Sequence, residues 1–248
     1  MSERTVPYAS AAAATGRRVA RSAVTVAEMQ ARDLLRRRIA LALFVLLPAA
    51  FYYSIPADQD YGVLAGSIGV SWAVAAAGMF GALGWRAVEP RLSLLSVGVG
   101  ERLAGRSLVL FAMAGVLVAL FTPLILVRST GVIADSGAFV LALVLLAVVS
   151  VPFGLAVGML ARGELEGTLV VIGVVGVQMS MPPDAPGAAA LPLYGPVHVL
   201  EVAVARGTDI ASGVLHTSVT SALLFAVAWL WFRRRSLPRT TLTERNHP

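Results

Sequence analysis

The chain has 248 residues, of which 57% are hydrophobic and 14% charged, with a formal net charge of +6. That is too apolar for an ordinary soluble domain, and several runs of about twenty apolar residues are each long enough to cross a hydrocarbon layer roughly 30 Å thick. The basic residues are all arginine and stand at the ends of those runs, so lipid headgroups and topology account for them rather than nucleic acid. The lack of cysteine excludes disulfides, thiolate metal sites and a cysteine nucleophile.

Residues 1–25 are rich in Ala, Ser and Arg without a sustained apolar period, which predicts a flexible cytosolic tail. No apolar core of signal-peptide length precedes Ile39, and no small-residue cleavage site follows it. From Val26 to Arg38, helical spacing puts Ala27, Ala31, Leu34 and Leu35 on one side and charge on the other. Two readings fit this segment: an interfacial helix lying along the membrane, or a helical extension of the first span. That span runs from about Ile39 to Ile55, with Pro48 inside it as a kink. A short acidic turn, Pro56 to Tyr61, leads to a second span over Gly62–Gly84, where Gly69, Ala73, Ala77 and Gly81 repeat at i, i+4. Such a ladder of small residues lets another helix approach closely, and packing rather than hydrophobicity drives helix association in lipid.

A polar island follows over residues 85–106, carrying Arg86, Glu89, Arg91, Glu101, Arg102 and Arg106. Within it, Arg91 to Val97 is long enough for about two helical turns between Pro90 and the glycines that begin at Gly98. The third span is expected over Ser107–Val127 and the fourth over Gly137–Leu160, interrupted by Pro152. After a second polar break, Ala161 to Gly167, the apolar run Thr168–Met181 covers only roughly 21 Å as a helix, short of a full crossing. It reads as a truncated fifth span, followed by a re-entrant or interfacial helix over Val197–Ala205. The last span, Gly213–Phe232, is stopped by Arg233, Arg234 and Arg235, and residues 236–248 form a cytosolic tail.

Arginine distribution tests this layout. With six spans, Arg128 and Arg206 alone fall on one side and all other arginines on the opposite side. That split is what positive-inside orientation predicts for an all-α, six-helix domain over residues 26–235, with both termini in the cytosol and the spans in the cell membrane.

Chemistry within the spans is sparse. No Asp, Glu or Arg lies in the six apolar cores as drawn, which disfavours a proton- or sodium-coupled carrier. His198 and Glu201 stand three apart on one predicted helix, a geometry that metal sites use, but no third ligand accompanies them, so a structural role is favoured and no metal is expected. His216 has Thr217, Ser218, Thr220 and Ser221 around it for local hydrogen bonds. No acid pair or Ser–His pair assembles, and no Gly-rich loop followed by Lys-Ser/Thr is present, so neither catalysis nor P-loop ATP binding is expected of this chain. Ser67, Ser71, Gln178 and Met179, with Tyr52, Tyr53, Trp72, Phe80 and Met181, are polar, aromatic or flexible groups able to line an apolar pathway; for any one of them, helix packing or an aromatic belt is the favoured explanation.

Several segments carry a family resemblance. The run Val88-Glu-Pro-Arg-Leu-Ser-Leu-Leu-Ser-Val-Gly-Val-Gly-Glu-Arg-Leu103 resembles the loop after the second span in type-2 ABC export permeases. Arg162-Gly-Glu-Leu-Glu-Gly-Thr168 is similar to the family's turn between the fourth and fifth spans, and Leu191-Pro-Leu-Tyr-Gly-Pro-Val-His-Val-Leu200 to its outer segment before the last. The Arg-rich helix before Ile39 is similar to its connecting helix. The resemblance implies a permease paired with a second copy or a paralogue and worked by separate ATPase subunits, with no cofactor of its own. It further implies that Arg91–Val97 is a coupling helix, with Leu92, Leu94 and Leu95 as teeth in the ATPase groove and Glu89, Arg91 and Arg102 as polar anchors. The cargo expected is a small hydrophobic or amphipathic compound. A lipid or glycan precursor is the alternative cargo, and a non-transport membrane scaffold or assembly protein the alternative role.

Overall fold

The computed structural model describes residues 8–56, 59–87, 98–182, 184–204 and 209–236; among them there is no strand. The helices are α1 (Tyr8–Arg36), α2 (Arg38–Tyr53), α3 (Asp60–Gly84), α4 (Val99–Arg128), α5 (Ser136–Leu160), α6 (Glu164–Ser180), α7 (Tyr194–Ala203) and α8 (Ile210–Ser236). One-turn 3-10 segments, Trp85–Ala87 and Ala188–Ala190, follow α3 and precede α7. Among the described residues, four helices are long and apolar enough to cross a membrane: α3, α4, α5 and the stretch Ile210–Arg234 of α8. This is the architecture of an all-α, multi-pass membrane protein. The helices on the expected first and fifth spans are shorter, α2 with 16 residues and α6 with 17.

The helix termini follow from local chemistry. Asp135 caps α5, its carboxylate accepting from the backbone N–H groups of Gly137 at 2.8 Å and Ala138 at 3.0 Å. Asp209 does the same before α8, accepting from Ser212 N–H at 3.1 Å, and that hydrogen bond holds its carboxyl below the usual range. At the start of α6, Glu166 reaches back to the N–H of Arg162 at 2.8 Å, and Glu164 adds a second negative charge against the positive end of the helix dipole. Gly187 makes the turn before α7 with φ of 90°, a left-handed conformation that a side chain would strain.

Helix α5 is the central column. Every residue from Val149 to Met159 is buried, and α3, α4, α6, α7 and α8 all pack on this helix. Two glycines one turn apart, Gly154 and Gly158, let α3 lie almost backbone to backbone against it. A Cβ on Gly154 would fall 2.9 Å from Ala75 Cα, and one on Gly158 would fall 2.7 Å from Ala82 Cβ and 2.9 Å from Met79 Cα. Ser71 and Ser150 bridge the same interface, Oγ to Oγ at 2.5 Å, while Ser150 donates to Leu146 O at 2.6 Å, so the buried hydroxyls satisfy each other.

The small residues of α3 do not form one interface. Gly69 opens onto Pro48 and Phe51 of α2, and Gly66 onto Tyr52, whereas the nearest atom to a Cβ on Gly81 would be Gln30 Nε2 of α1 at 3.7 Å. Ala73 and Ala77 are buried between them. The expected ladder thus winds round the helix and serves different neighbours at its two ends, because an i, i+4 repeat of a 3.6-residue helix drifts with each step.

At the N-terminus the structure departs from expectation twice. Helix α1 begins at Tyr8 rather than Val26, which accords with the high helix propensity of Ala9 and of Ala11 to Ala14. It also ends as a separate element: Arg37, with ψ of 63°, breaks it from α2, so it is no extension of the first span. Its buried side is Val26, Ala27 and Gln30, packed on α4 where Gly105 leaves room (a Cβ there would lie 2.9 Å from Val26 Cβ). Leu35, placed on the apolar side by spacing, is exposed instead.

Candidate functional site

The helices build two candidate regions, one at each end of the bundle. The first is an arginine knot where α3 ends and α4 begins. Carbonyls in the last turn of a helix lack intrahelical partners, and the helix dipole is negative there. Arg86, in the turn after α3, meets that need at the end of α5. Its guanidinium donates to Gly158 O at 2.6 Å, Met159 O at 3.4 Å, Arg162 O at 3.2 Å and to Ala161 O. One side chain therefore ties the connection after α3 to the connection between α5 and α6.

Beside it, Arg106 lies between Trp85 and Phe232, its guanidinium 4.6 Å and 4.8 Å from the two ring centroids. Arg102 sits over the same Phe232 ring at 5.2 Å. Both arginines are fully buried, so α4 and α8 are joined through aromatic faces that replace water for the cations. These arginines lie within α4, whose helix starts eight residues ahead of the expected span, and the bundle interior is charged at this end. Arg102, which the resemblance makes a polar anchor, is buried in this structure. Glu89, Arg91, Leu92, Leu94 and Leu95 lie outside the described residues.

The second region is a cavity of about 580 Å³ at the opposite end, walled by the start of α3, the end of α6 and one side of α7. Its surface mixes Leu64, Met179, Met181, Val197 and Leu200 with Asp60, Gln178 and Glu201. Gln178 and Met179, singled out in the sequence as pathway-lining candidates, both face it. Ser67 and Ser71 do not belong to its described lining: Ser67 donates to Val63 O at 2.7 Å inside α3, and Ser71 is spent on Ser150.

Helix α7 is fixed in place behind this cavity. Ala203 O accepts from the N–H groups of Ala134 at 2.8 Å and Asp135 at 3.0 Å, and Gly195 and Gly213 bring α7 against α8. The histidines belong to this packing. His216 Nε2 bonds Ala189 O at 2.8 Å, and Tyr194 lies between the rings of His216 and His198, 5.1 Å and 5.9 Å away. His198 Nδ1 stands 3.7 Å from Glu201 Oε2. At the same end Tyr52 is buried with its hydroxyl 2.9 Å from Ser129 Oγ, and Arg128 covers the Tyr53 ring at 4.3 Å.

Arg86, Arg106, Trp85, Ser150 and the Gly154/Gly158 pair are the residues that sequence reasoning missed. Only the glycines carried a readable signal, a Gly-x-x-x-Gly spacing in an apolar run. No protein-family model matches the chain, and no characterised protein matches its sequence.

Proposed function

We propose that this chain is the membrane-spanning permease subunit of an ATP-driven exporter, with six crossings and both termini in the cytosol. The observation that carries the reading is the tie made by Arg86. A machine driven from outside the membrane needs its handle joined stiffly to the helices it moves, and Arg86 fastens the connection after α3 to the end of the central helix α5. The polar island sits between two of the longest apolar helices and holds the residues expected to meet an ATPase, Glu89, Arg91, Leu92, Leu94 and Leu95.

Further support comes from the two short helices. α6 runs from the level of Met79, where Gly167 packs, to the cavity, which Ser180 lines, and α2 packs on the first half of α3 with Tyr52 meeting Ser129 at its end. Counting them as crossings puts Arg128 and the cavity on the outer face and the arginine knot on the inner one. A second permease copy would find a thin apolar face on α6, where Gly173 and Gly176 open onto empty space between exposed Leu169, Ile172 and Val177. Such a face suits small hydrophobic or amphipathic cargo along a helix interface.

The test is co-purification from the native membrane with an ATP-hydrolysing partner subunit, followed by Leu94→Asp with Leu95→Asp. The expected outcome is loss of cargo-stimulated ATP hydrolysis while the membrane subunit stays folded. Hydrolysis and transport at wild-type rates would refute the exporter reading and favour a scaffold or assembly role.

A further inference from the structure

We propose that the cavity between α3, α6 and α7 is a ligand site for a compact amphipathic molecule that is apolar over most of its surface and carries one N–H or O–H group. Its size, about 580 Å³, falls within the usual range for small-molecule sites. Leu64, Met179 and Leu200 supply an apolar surface that a hydrocarbon or aromatic body fills. Met179 adds a flexible, polarizable side chain that adapts to different shapes.

The polar instruction comes from Gln178. It is only 4% exposed, it lines the cavity, and its Oε1 has no hydrogen-bond partner among the described residues. A buried amide oxygen left without a donor is costly, and leucine of similar volume would remove that cost. A group placed at such a position is explained if a ligand supplies the donor. As a station for exported cargo, the site rests on the permease reading; as a binding site it does not need it.

The experiment uses the full chain in phosphatidylcholine nanodiscs with two probes. One is N-phenyl-1-naphthylamine, an apolar diaryl amine with a single N–H; the other is 1-phenylnaphthalene, which has none. Saturable fluorescence enhancement above that of empty nanodiscs is expected with the amine. Gln178→Leu should weaken its binding at least tenfold, leave 1-phenylnaphthalene within about twofold, and leave the melting temperature unchanged or raised. Leu200→Trp should fill the cavity and remove saturable binding of both probes.

The proposal is overturned by an amine that does not bind saturably, by equal binding to Gln178→Leu, or by a Gln178→Leu protein that melts several degrees lower, since the amide would then be holding the fold. Binding in nanodiscs together with an ATPase indifferent to the same compounds keeps the site and removes the permease reading.

Discussion

Arg86 illustrates how one residue does two jobs at a helix end. Its fork of donors spans the carbonyls that close α5 and the first carbonyl of the next connection, a pattern that a lysine point charge cannot reproduce. Arg86→Ala is expected to cost about 2 kcal/mol, the range for hydrogen bonds to a charged group, with Arg86→Lys recovering only part of it. Unfolding in graded denaturing detergent measures both. In the sequence Arg86 was one charge among six in the polar island; nothing in its neighbours told that its partners were backbone carbonyls over seventy residues away. His216 was legible by contrast, because small hydroxyl residues nearby announced local hydrogen bonding, although its acceptor proved to be Ala189 O.

Among the elements, α3 and α5 form the rigid pair on which the others lean. Their close approach depends on absent side chains, so added volume acts on the backbone of the facing helix rather than on a movable group. Gly158→Leu should drive α3 from α5 and cost at least about 3 kcal/mol, above the ordinary range for overpacking because Met79 and Ala82 meet it with main-chain and Cβ atoms. Gly115→Leu on α4, where nothing lies within 4 Å, is the matched control and should leave stability unchanged. The folded, monodisperse fraction after solubilisation reads the difference. Helix positions were largely visible in advance: runs of apolar residues mark α3 to α5, although α4 begins eight residues before the expected span and the cap at Asp135 emerged only in the structure. Helix α1 was not, since its Ala-rich start lacks an apolar period and the packing of Val26 on Gly105 is a tertiary contact.

The whole molecule is polarised along its long axis, with the arginine knot at one end and the carboxylate-bearing cavity at the other. Because the chain has no cysteine, single introduced thiols report on this polarity without background. Gly131→Cys, in the turn after α4, should react with a membrane-impermeant maleimide on intact cells. Gly100→Cys, at the start of α4, should react only after permeabilisation; both glycines are exposed with open space around them. Labelling of Gly100→Cys on intact cells would put the island outside, beyond reach of a cytosolic ATPase.

The order of the elements and their apolar character were determined by the sequence itself, because membrane insertion is governed by local hydrophobicity and flanking charge. Tertiary structure alone decided which neighbour each small residue serves, that Arg102 and Arg106 are buried on aromatic rings, and that Gln178 turns toward a cavity. Those outcomes depend on how helices rotate about their axes to pack. In lipid, where every apolar face is equally content, close steric fit and a few polar contacts set that rotation, and neither is written in the periodicity of a single run.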